Sequence, residues 1–421
     1  FAQHPILLAP HQDLAGQLEE IRGKLSFTYQ QAWIDSDRFI PLSVTMGPQR
    51  EPFPDEITRP FFENLLPEGE IRGAIAKLKQ VSERNTFGLL GEIGGDCAGA
   101  ISLSPHGEKP QPNEGYEVLA DERLAEVLAG MAKRPLLVID EELRLSLAGA
   151  QNKLPLHYDG KQLSLPRGSA PSSHILKPGA RAFEHMPANE HFCMQLAGVL
   201  GLPVPVSLIL RKPESLYLIE RYDRARALDG TLTRVHQIDF CQALNLPSQK
   251  KYEHEGGPSL ALCFEVITKF SSQPARDRLS LISWTIFNYL VGNADAHAKN
   301  LSLLITREGV ALAPSYDLVS TAAYRELTEK LALKIGGESR PNWIQKRHWD
   351  GLAEISGTNP RIVWHQIEKL ASSIAGAARD TAGTLGLEKD ESAVIEKILA
   401  VITDRAARLT RALRGGRLVE K

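Results

Sequence analysis

Apolar positions over the first hundred residues change their spacing twice. "IRGKLSFTYQ" (21–30) and "FIPLSVTMG" (39–47) set β-branched and aromatic residues between polar turns, and predict two strands. "RPFFENLLPEGEIRGAIAKLKQVS" (59–82) then carries Phe62, Leu65, Leu66, Ile71, Ile75 and Leu78 at helical spacing, and predicts a helix. "NTFGLLGEIGGDCAGAISL" predicts a short helix, a glycine turn and a closing strand. The stretch from Pro105, "PHGEKPQPNEGYE", is rich in Pro, Gly and charge and reads as a linker. An amphipathic helix over "DERLAEVLAGMAKR" follows it.

From Leu143 the pattern shortens. "LRLSL", "KLPLHY", "KQLSL" and "HILKP" predict four short strands, and Asp159-Gly160 marks a hairpin between the second and third. "NEHFCMQLAGVLGL" predicts a helix, and "VSLILR" with "SLYLIERYDR" another pair of strands. From Gln242 helix dominates, interrupted by one strand-like return, "LSLLITREGVALAPSYDLVS". The expected organisation is an N-terminal subdomain over 1–104, a linker and connecting helix over 105–135, a β-rich small lobe over 136–235 and a helical lobe over 236–421. The predicted fold class is α+β: a protein kinase-like bilobal fold with an additional N-terminal α+β subdomain.

Composition narrows the partners. A formal net charge of -2 gives no global basic field, so contact with nucleic acid has to come from a local patch or from a partner. Cys97, Cys193, Cys241 and Cys263 are too scattered for a disulfide framework or a CxxC metal pair. No signal-peptide pattern opens the chain, and no apolar run reaches the ~20 residues of a membrane span. The expected location is the bacterial cytoplasm, with no membrane partner.

The chemistry concentrates where an apolar helix ends, in "VGNADAHAKN" (291–300). Asp295 and Asn300 are spaced D-x-x-x-x-N. In phosphoryl transfer an Asp at the first position meets the acceptor's hydroxyl proton, and an Asn at the second holds Mg²⁺. A hard cation then needs a second oxygen ligand, and Asp317, between a strand-like run and a polar turn, is placed to supply it. A lysine for the phosphates is expected on a small-lobe strand, and Lys177 ends "HILKP"; Glu190, early in the next helix, is the candidate to orient it. Singly, each has a plainer explanation: Asp317 as a turn residue, Lys177 as a solvated side chain, Glu190 as a partner of the helix dipole, His297 as a buried histidine. Their order and separations together point to phosphotransfer. There are departures from the ordinary kinase pattern. No G-x-G-x-x-G loop is present; the turn "LAGAQNK" has only Gly149, although it can still present N–H groups as a nest. Leu318 and Val319 replace the Phe and Gly of DFG, and His297 stands two after Asp295, where protein kinases commonly have the lysine that here is Lys299.

These features together resemble the HipA family, the serine/threonine kinase toxins of bacterial toxin–antitoxin modules. The resemblance is carried by "FFENLLPEGEIR", "LLGEIGGDCAGAISL", "RLSLAGAQNKLPL", "HILKP", "IERYDR", "GNADAHAKNLSLL" and "SYDLVSTAAY", in that order along almost the whole chain. It implies ATP and Mg²⁺ as cofactors, Asp295 as catalytic base, and Asn300 and Asp317 as metal ligands. It further implies Ala148, Gly149, Ala150, Gln151, Asn152 and Lys153 over the nucleotide phosphates, with Lys177 contacting them. Glu220, Arg221 and Tyr222 would offer the adenine backbone hydrogen bonds, while His297, Lys299 and Tyr316 would line the nucleotide side, although Tyr316 could equally be packing. Ser146, on its own an ordinary strand serine, becomes an autophosphorylation site. A phosphate there adds roughly −1.5 to −2 charge and would compete with ATP for the donors of the neighbouring turn.

The implied acceptor is a serine of a translation-associated protein, glutamyl-tRNA synthetase in the best-known members. The implied partner is a HipB-like helix-turn-helix antitoxin dimer that carries the kinase to operator DNA. "RAARLTRALRGGR", near the C-terminus, is the most basic tail segment, with a solvated helix face as the plainer reading. Two other classes stand beside this one: a small-molecule phosphotransferase sharing the base-and-metal logic, and a non-catalytic corepressor bound to antitoxin and DNA.

Overall fold

The computed structural model describes residues 2–8, 13–103, 113–131, 151–179, 183–212 and 214–415. The first strands form an antiparallel sheet in which β1 (Ala2–Leu8) pairs with β2 (Asp13–Ile21), and β2 with β3 (Lys24–Tyr29). Helices α1 (Gln31–Ile34), α2 (Asp55–Glu63), α3 (Gly69–Leu78) and α4 (Thr86–Ile93) follow, and β4 (Ile101–Leu103) closes on β1. Phe27, Phe61 and Phe62 are fully buried, and Phe27 stands 6.0 Å from Phe62, ring centre to ring centre.

Three expectations change here. Residues 39–47 form turns and irregular chain, not a strand. The outer side of β3 is bridged by Phe53, whose N–H donates to Phe27 O at 2.8 Å, so the middle of that edge is already taken. Its apolar Leu42 and Met46 are buried all the same, and the Tyr29 hydroxyl serves their backbone, accepting from Leu42 N and donating to Met46 O, both at 2.7 Å. The single helix expected over 59–82 is two, because Pro67 disfavours helical backbone in the residue before it. The end of the expected linker is a strand, β5 (Asn113–Val118).

The chain continues through α5 (Asp121–Met131), β6 (Leu154–Tyr158), β7 (Leu163–Gly168), β8 (His174–Lys177), α6 (Met186–Val199), β9 (Ser207–Arg211) and β10 (Ser215–Glu220). Short strands β11 (Arg224–Arg226), β12 (Leu232–Arg234) and β13 (His236–Asp239) lead to α7 (Phe240–Ala243), α8 (Leu260–Phe270) and α9 (Pro274–Val291). A hairpin, β14 (Ser302–Thr306) and β15 (Gly309–Leu312), precedes α10 (Lys346–Ile355), α11 (Pro360–Thr384) and α12 (Lys389–Gly415). The Asp159-Gly160 hairpin forms as expected: β6 and β7 pair antiparallel across it, with Gly160 at φ +99°.

Two compact units result. The first comprises residues 1–178, 218–248 and 302–310; the second comprises 179–217, 249–301 and 311–421, with one crossing within β10 and another within β15. In the first, strands run in the order β5–β7–β6–β8, and β13 pairs with β14. The N-terminal residues are stitched to the chain around α7. Gln242 Nε2 donates to Phe61 O at 3.0 Å, Asn64 Nδ2 to Leu246 O at 2.8 Å, and His236 Nε2 meets Leu42 O at 2.8 Å.

A buried charge network completes that unit. Arg221 grips Asp223 through Nε (2.9 Å) and Nη2 (2.7 Å), and Gly99 N donates to the same carboxylate at 2.7 Å. Asp96 takes Arg234 through Nε at 2.9 Å and Nη2 at 2.8 Å, while Arg224 Nη1 donates to Gly99 O at 3.2 Å. Burial alone would raise Asp223; the Arg221 and Arg224 guanidinium groups overcome it and hold the carboxyl well below the usual carboxylate range.

In the second unit α9 is buried at every position from Leu281 to Val291, and α8, α11 and α12 pack around it. It stops at Gly292, whose φ of +78° is left-handed. A Cβ at Gly292 would lie 2.8 Å from both Ala322 Cβ and Val401 Cγ1, so only glycine fits the turn.

Candidate active site

The residue after that turn starts a tightly bonded loop. Asn293 Nδ2 donates to Asn288 Oδ1 at 2.7 Å, and its Oδ1 accepts from Asp295 N at 3.0 Å, so the helix end sets the backbone of Asp295. The Asp295 carbonyl accepts from His297 N (2.8 Å) and from Asn300 Nδ2 (3.0 Å), which folds the five-residue spacing into one turn. Thr321 Oγ1 braces the other side, accepting from Ala294 N at 2.7 Å and donating to Gly292 O at 3.0 Å. Within 291–300 every side chain is buried except that of Asp295, which is exposed. The loop therefore spends its polar groups inward and presents one carboxylate outward.

Asp317 approaches along a different segment. The Tyr316 hydroxyl donates to Lys299 O at 2.6 Å, joining the residue before Asp317 to the residue before Asn300. Asp317 itself has φ +57°, a left-handed conformation that Asp tolerates better than most residues and that is often found at functional positions. Beyond it the chain is held by α6: Asn189 Oδ1 accepts from Ser320 N at 2.8 Å, and Asn189 Nδ2 donates to Ser320 O at 3.0 Å. Glu190, the next residue of α6, is buried. Burial pushes the Tyr217 phenol well up, with Glu190 and then Asp317 adding to the effect, so both carboxylates lie within electrostatic reach of this phenol.

The donor set offered by Asn300 and Asp317 is an amide oxygen and a carboxylate, the hard-oxygen chemistry that Mg²⁺ prefers. The Asn300 amide nitrogen is committed to Asp295 O, which turns its oxygen to the other side. That donor chemistry fits a magnesium ion.

The remaining predicted residues of the first unit stand as follows. Lys177 ends β8 and is buried. Gln151, Asn152 and Lys153 precede β6, and Asn152 Nδ2 donates to Met131 O at 3.1 Å. Glu220 ends β10 and is exposed, and the Tyr222 hydroxyl donates to Gln237 Oε1 at 2.8 Å. Arg221 is engaged inside its own unit: its N–H donates to Ser173 O at 2.9 Å and its guanidinium holds Asp223 and Ser172. Ser146, Ala148, Gly149 and Ala150 lie outside the described residues.

Sequence reading missed four supports of the site. Asn189, Asn293 and Thr321 are ordinary polar residues whose roles exist only through contacts. Tyr252 is the fourth: its hydroxyl donates to Asp295 Oδ1 at 2.5 Å across 43 residues of chain. The basic tail also has an inward member. Arg405 of α12 is buried and donates through Nη1 to Tyr289 O at 2.7 Å, capping the end of α9 just ahead of the loop that carries Asp295. Among the described residues no helix is long and apolar enough to cross a membrane.

Residues 145–381 match the HipA-like C-terminal domain, and residues 9–104 match the HipA N-terminal domain. A Sinorhizobium fredii relative, the kinase-named Y4mE, is 41% identical over 371 residues, 86% of this chain and 88% of that one. The serine/threonine-protein kinase toxin HipA of Shewanella oneidensis is 31% identical over 382 residues, 87% of this chain and 86% of that one. The solved Shewanella oneidensis complex of HipA, HipB and operator DNA contains a chain that superposes with a TM-score of 0.87 at 29% identity, covering 99% of this chain and 100% of that one. With its bilobal α+β kinase-like fold and N-terminal subdomain, the chain belongs to the HipA family of ATP-dependent serine/threonine kinases.

Proposed function

We propose that this kinase is the toxin of a type II toxin–antitoxin pair, moving the γ-phosphate of ATP to a serine of a translation-associated protein. A HipB-like helix-turn-helix antitoxin dimer restrains it and carries it to operator DNA. The observation that supports this reading most is the loop at 291–300, which buries every side chain but Asp295. The likeness to a HipA solved together with HipB and operator DNA supports the partner.

In this reading the Asp295 carboxylate accepts the proton of the acceptor's hydroxyl. Asn300 and Asp317 would hold Mg²⁺, which supplies charge neutralisation at the phosphates when bound. Lys177 meets the phosphates and Glu190 orients it, while residues 148–153 cover them. Glu220 and Tyr222 flank the adenine. Arg221 serves by fixing that segment rather than by donating its own N–H, which Ser173 O already takes. His297, Lys299 and Tyr316 line the nucleotide side. A phosphate placed on Ser146 by the enzyme itself would switch it off by competing for the donors of the phosphate turn.

The test begins with mass spectrometry of the purified chain, to find any phosphate at Ser146. Unphosphorylated chain is then given γ-labelled ATP with Mg²⁺. Label on protein is expected; label only on small molecules would indicate a small-molecule phosphotransferase, and none a non-catalytic corepressor. Asp295→Asn and Asp317→Asn should both abolish transfer, but only the second should lose most of its affinity for Mg-ATP. Equal loss of binding in the two variants contradicts the roles given. Phosphoproteomics of a treated lysate should identify a serine on a translation protein, with glutamyl-tRNA synthetase the first to inspect.

A further inference from the structure

An exposed carboxylate turns easily about its last torsion, and a general base that wanders loses the advantage of a fixed reaction geometry. Asp295 is exposed, yet its Oδ1 receives the Tyr252 hydroxyl at 2.5 Å, the short distance of a charge-assisted bond. We propose that Tyr252 is a positioning residue for phosphoryl transfer, whose phenol sets the plane in which the Asp295 carboxylate meets the acceptor's hydroxyl. The inference rests on Asp295 being the base.

The segment that carries Tyr252 is fastened to the loop it serves. Lys251 O accepts from Ala298 N at 3.2 Å, on the far side of Asp295. Glu253 N donates to Ala332 O at 3.1 Å, and Ala332 N in turn donates to Ala294 O at 3.1 Å, on the near side. Glu253 Oε2 also accepts from Lys334 N at 2.7 Å. The Tyr252 carbonyl closes its own turn, accepting from Glu255 N at 3.1 Å and Gly257 N at 2.9 Å. A Cβ on Gly257 would lie 2.5 Å from Lys250 O and 2.6 Å from Tyr252 O, so the turn is close-packed backbone against backbone.

The ring is fixed as well. It meets His297 edge-on, with centroids 5.1 Å apart, while the Lys251 ammonium lies 5.5 Å from its centre. Anchors on both sides of Asp295 and a ring packed on His297 hold the phenol where its oxygen meets the carboxylate. In ordinary protein kinases a lysine stands two residues after the base; here that position is His297, and the Tyr252 hydroxyl reaches the carboxylate from another segment.

The experiment compares full-length wild type, Tyr252→Phe and Asp295→Asn, each freed of phosphate beforehand. Single-turnover transfer of label from γ-labelled Mg-ATP to the protein itself is followed, with inorganic phosphate released to water counted in the same samples. Mg-ATP affinity is measured by calorimetry. Phenylalanine keeps the ring and its contact with His297 and removes only the donor. Tyr252→Phe is expected to slow both transfers about tenfold while the Kd for Mg-ATP stays within about twofold, the signature of a bond that matters only in the chemical step. A wild-type rate in Tyr252→Phe overturns the proposal. So does a rate loss matched by loss of nucleotide affinity or of the folded state, which would make Tyr252 a structural residue. Transfer by Asp295→Asn at the wild-type rate, or none by wild type, overturns the reading of the base itself, an outcome distinct from the first two.

Discussion

Tyr316 donates its phenolic proton to the main-chain oxygen of Lys299 over 2.6 Å. The bond joins two segments one residue short of Asp317 and of Asn300, the proposed metal ligands. Removing the hydroxyl while keeping the ring should let the segments drift apart. Tyr316→Phe is expected to weaken Mg-ATP binding about fivefold, the worth of about 1 kcal/mol for one net hydrogen bond. Calorimetric titration at several Mg²⁺ concentrations measures it, and an unchanged affinity would show that the segments keep register without the bond.

Asp223 carries the second prediction. It is buried between Arg221 and Arg224 and accepts from Gly99 N. Asp223→Ala removes the nearest carboxylate from both cations and leaves them Asp96 at 3.9 and 3.6 Å; breaking a buried pair typically costs about 3–5 kcal/mol, read as a lower urea midpoint. The pH dependence has a definite sign. With its folded pKa depressed below the unfolded value of about 3.9, Asp223 contributes stability that is fully present above that value and lost as pH falls through the folded pKa. Urea midpoints should fall as wild type is taken below about pH 4, and Asp223→Asn should show a smaller fall. Parallel curves for the two proteins would contradict the assignment.

Gly292 carries the third. Alanine there must adopt φ +78° and place its Cβ 2.8 Å from Ala322 and Val401. The left-handed backbone costs about 1–2 kcal/mol and the overpacking about 1–3 more. Gly292→Ala should lower the melting temperature and the transfer rate together, because the turn that it strains delivers Asp295. Thermal melts beside the label assay decide it; a wild-type melting temperature would mean that α12 yields more readily than its packing indicates.

Local pattern was enough wherever the controlling interactions are short in sequence. The Asp159-Gly160 hairpin, the buried helix ahead of Gly292 and the polar turn after it were all legible, because alternation, helical spacing and turn residues act over a few positions. Residues 39–47 misled for the complementary reason. Their alternation is that of a strand, but whether a strand forms depends on an edge to pair with, and Phe53 already takes the middle of the one beside β3. In the site, Asp295, Asn300 and Asp317 could be named from spacing and resemblance, whereas Tyr252, Asn189 and Thr321 could not.

The sequence by itself determined much of the order of elements, the family and the ionisable groups available for chemistry, since these follow from local periodicity and from motifs along the chain. Only the tertiary structure decided what holds them. Tyr252 reaches Asp295 across 43 residues, Asn189 reaches Ser320 across 131, and Gly99 reaches Asp223 across 124. Hydrogen bonds act over about 3 Å in space, while separation along the chain sets no limit on which groups packing brings within that range.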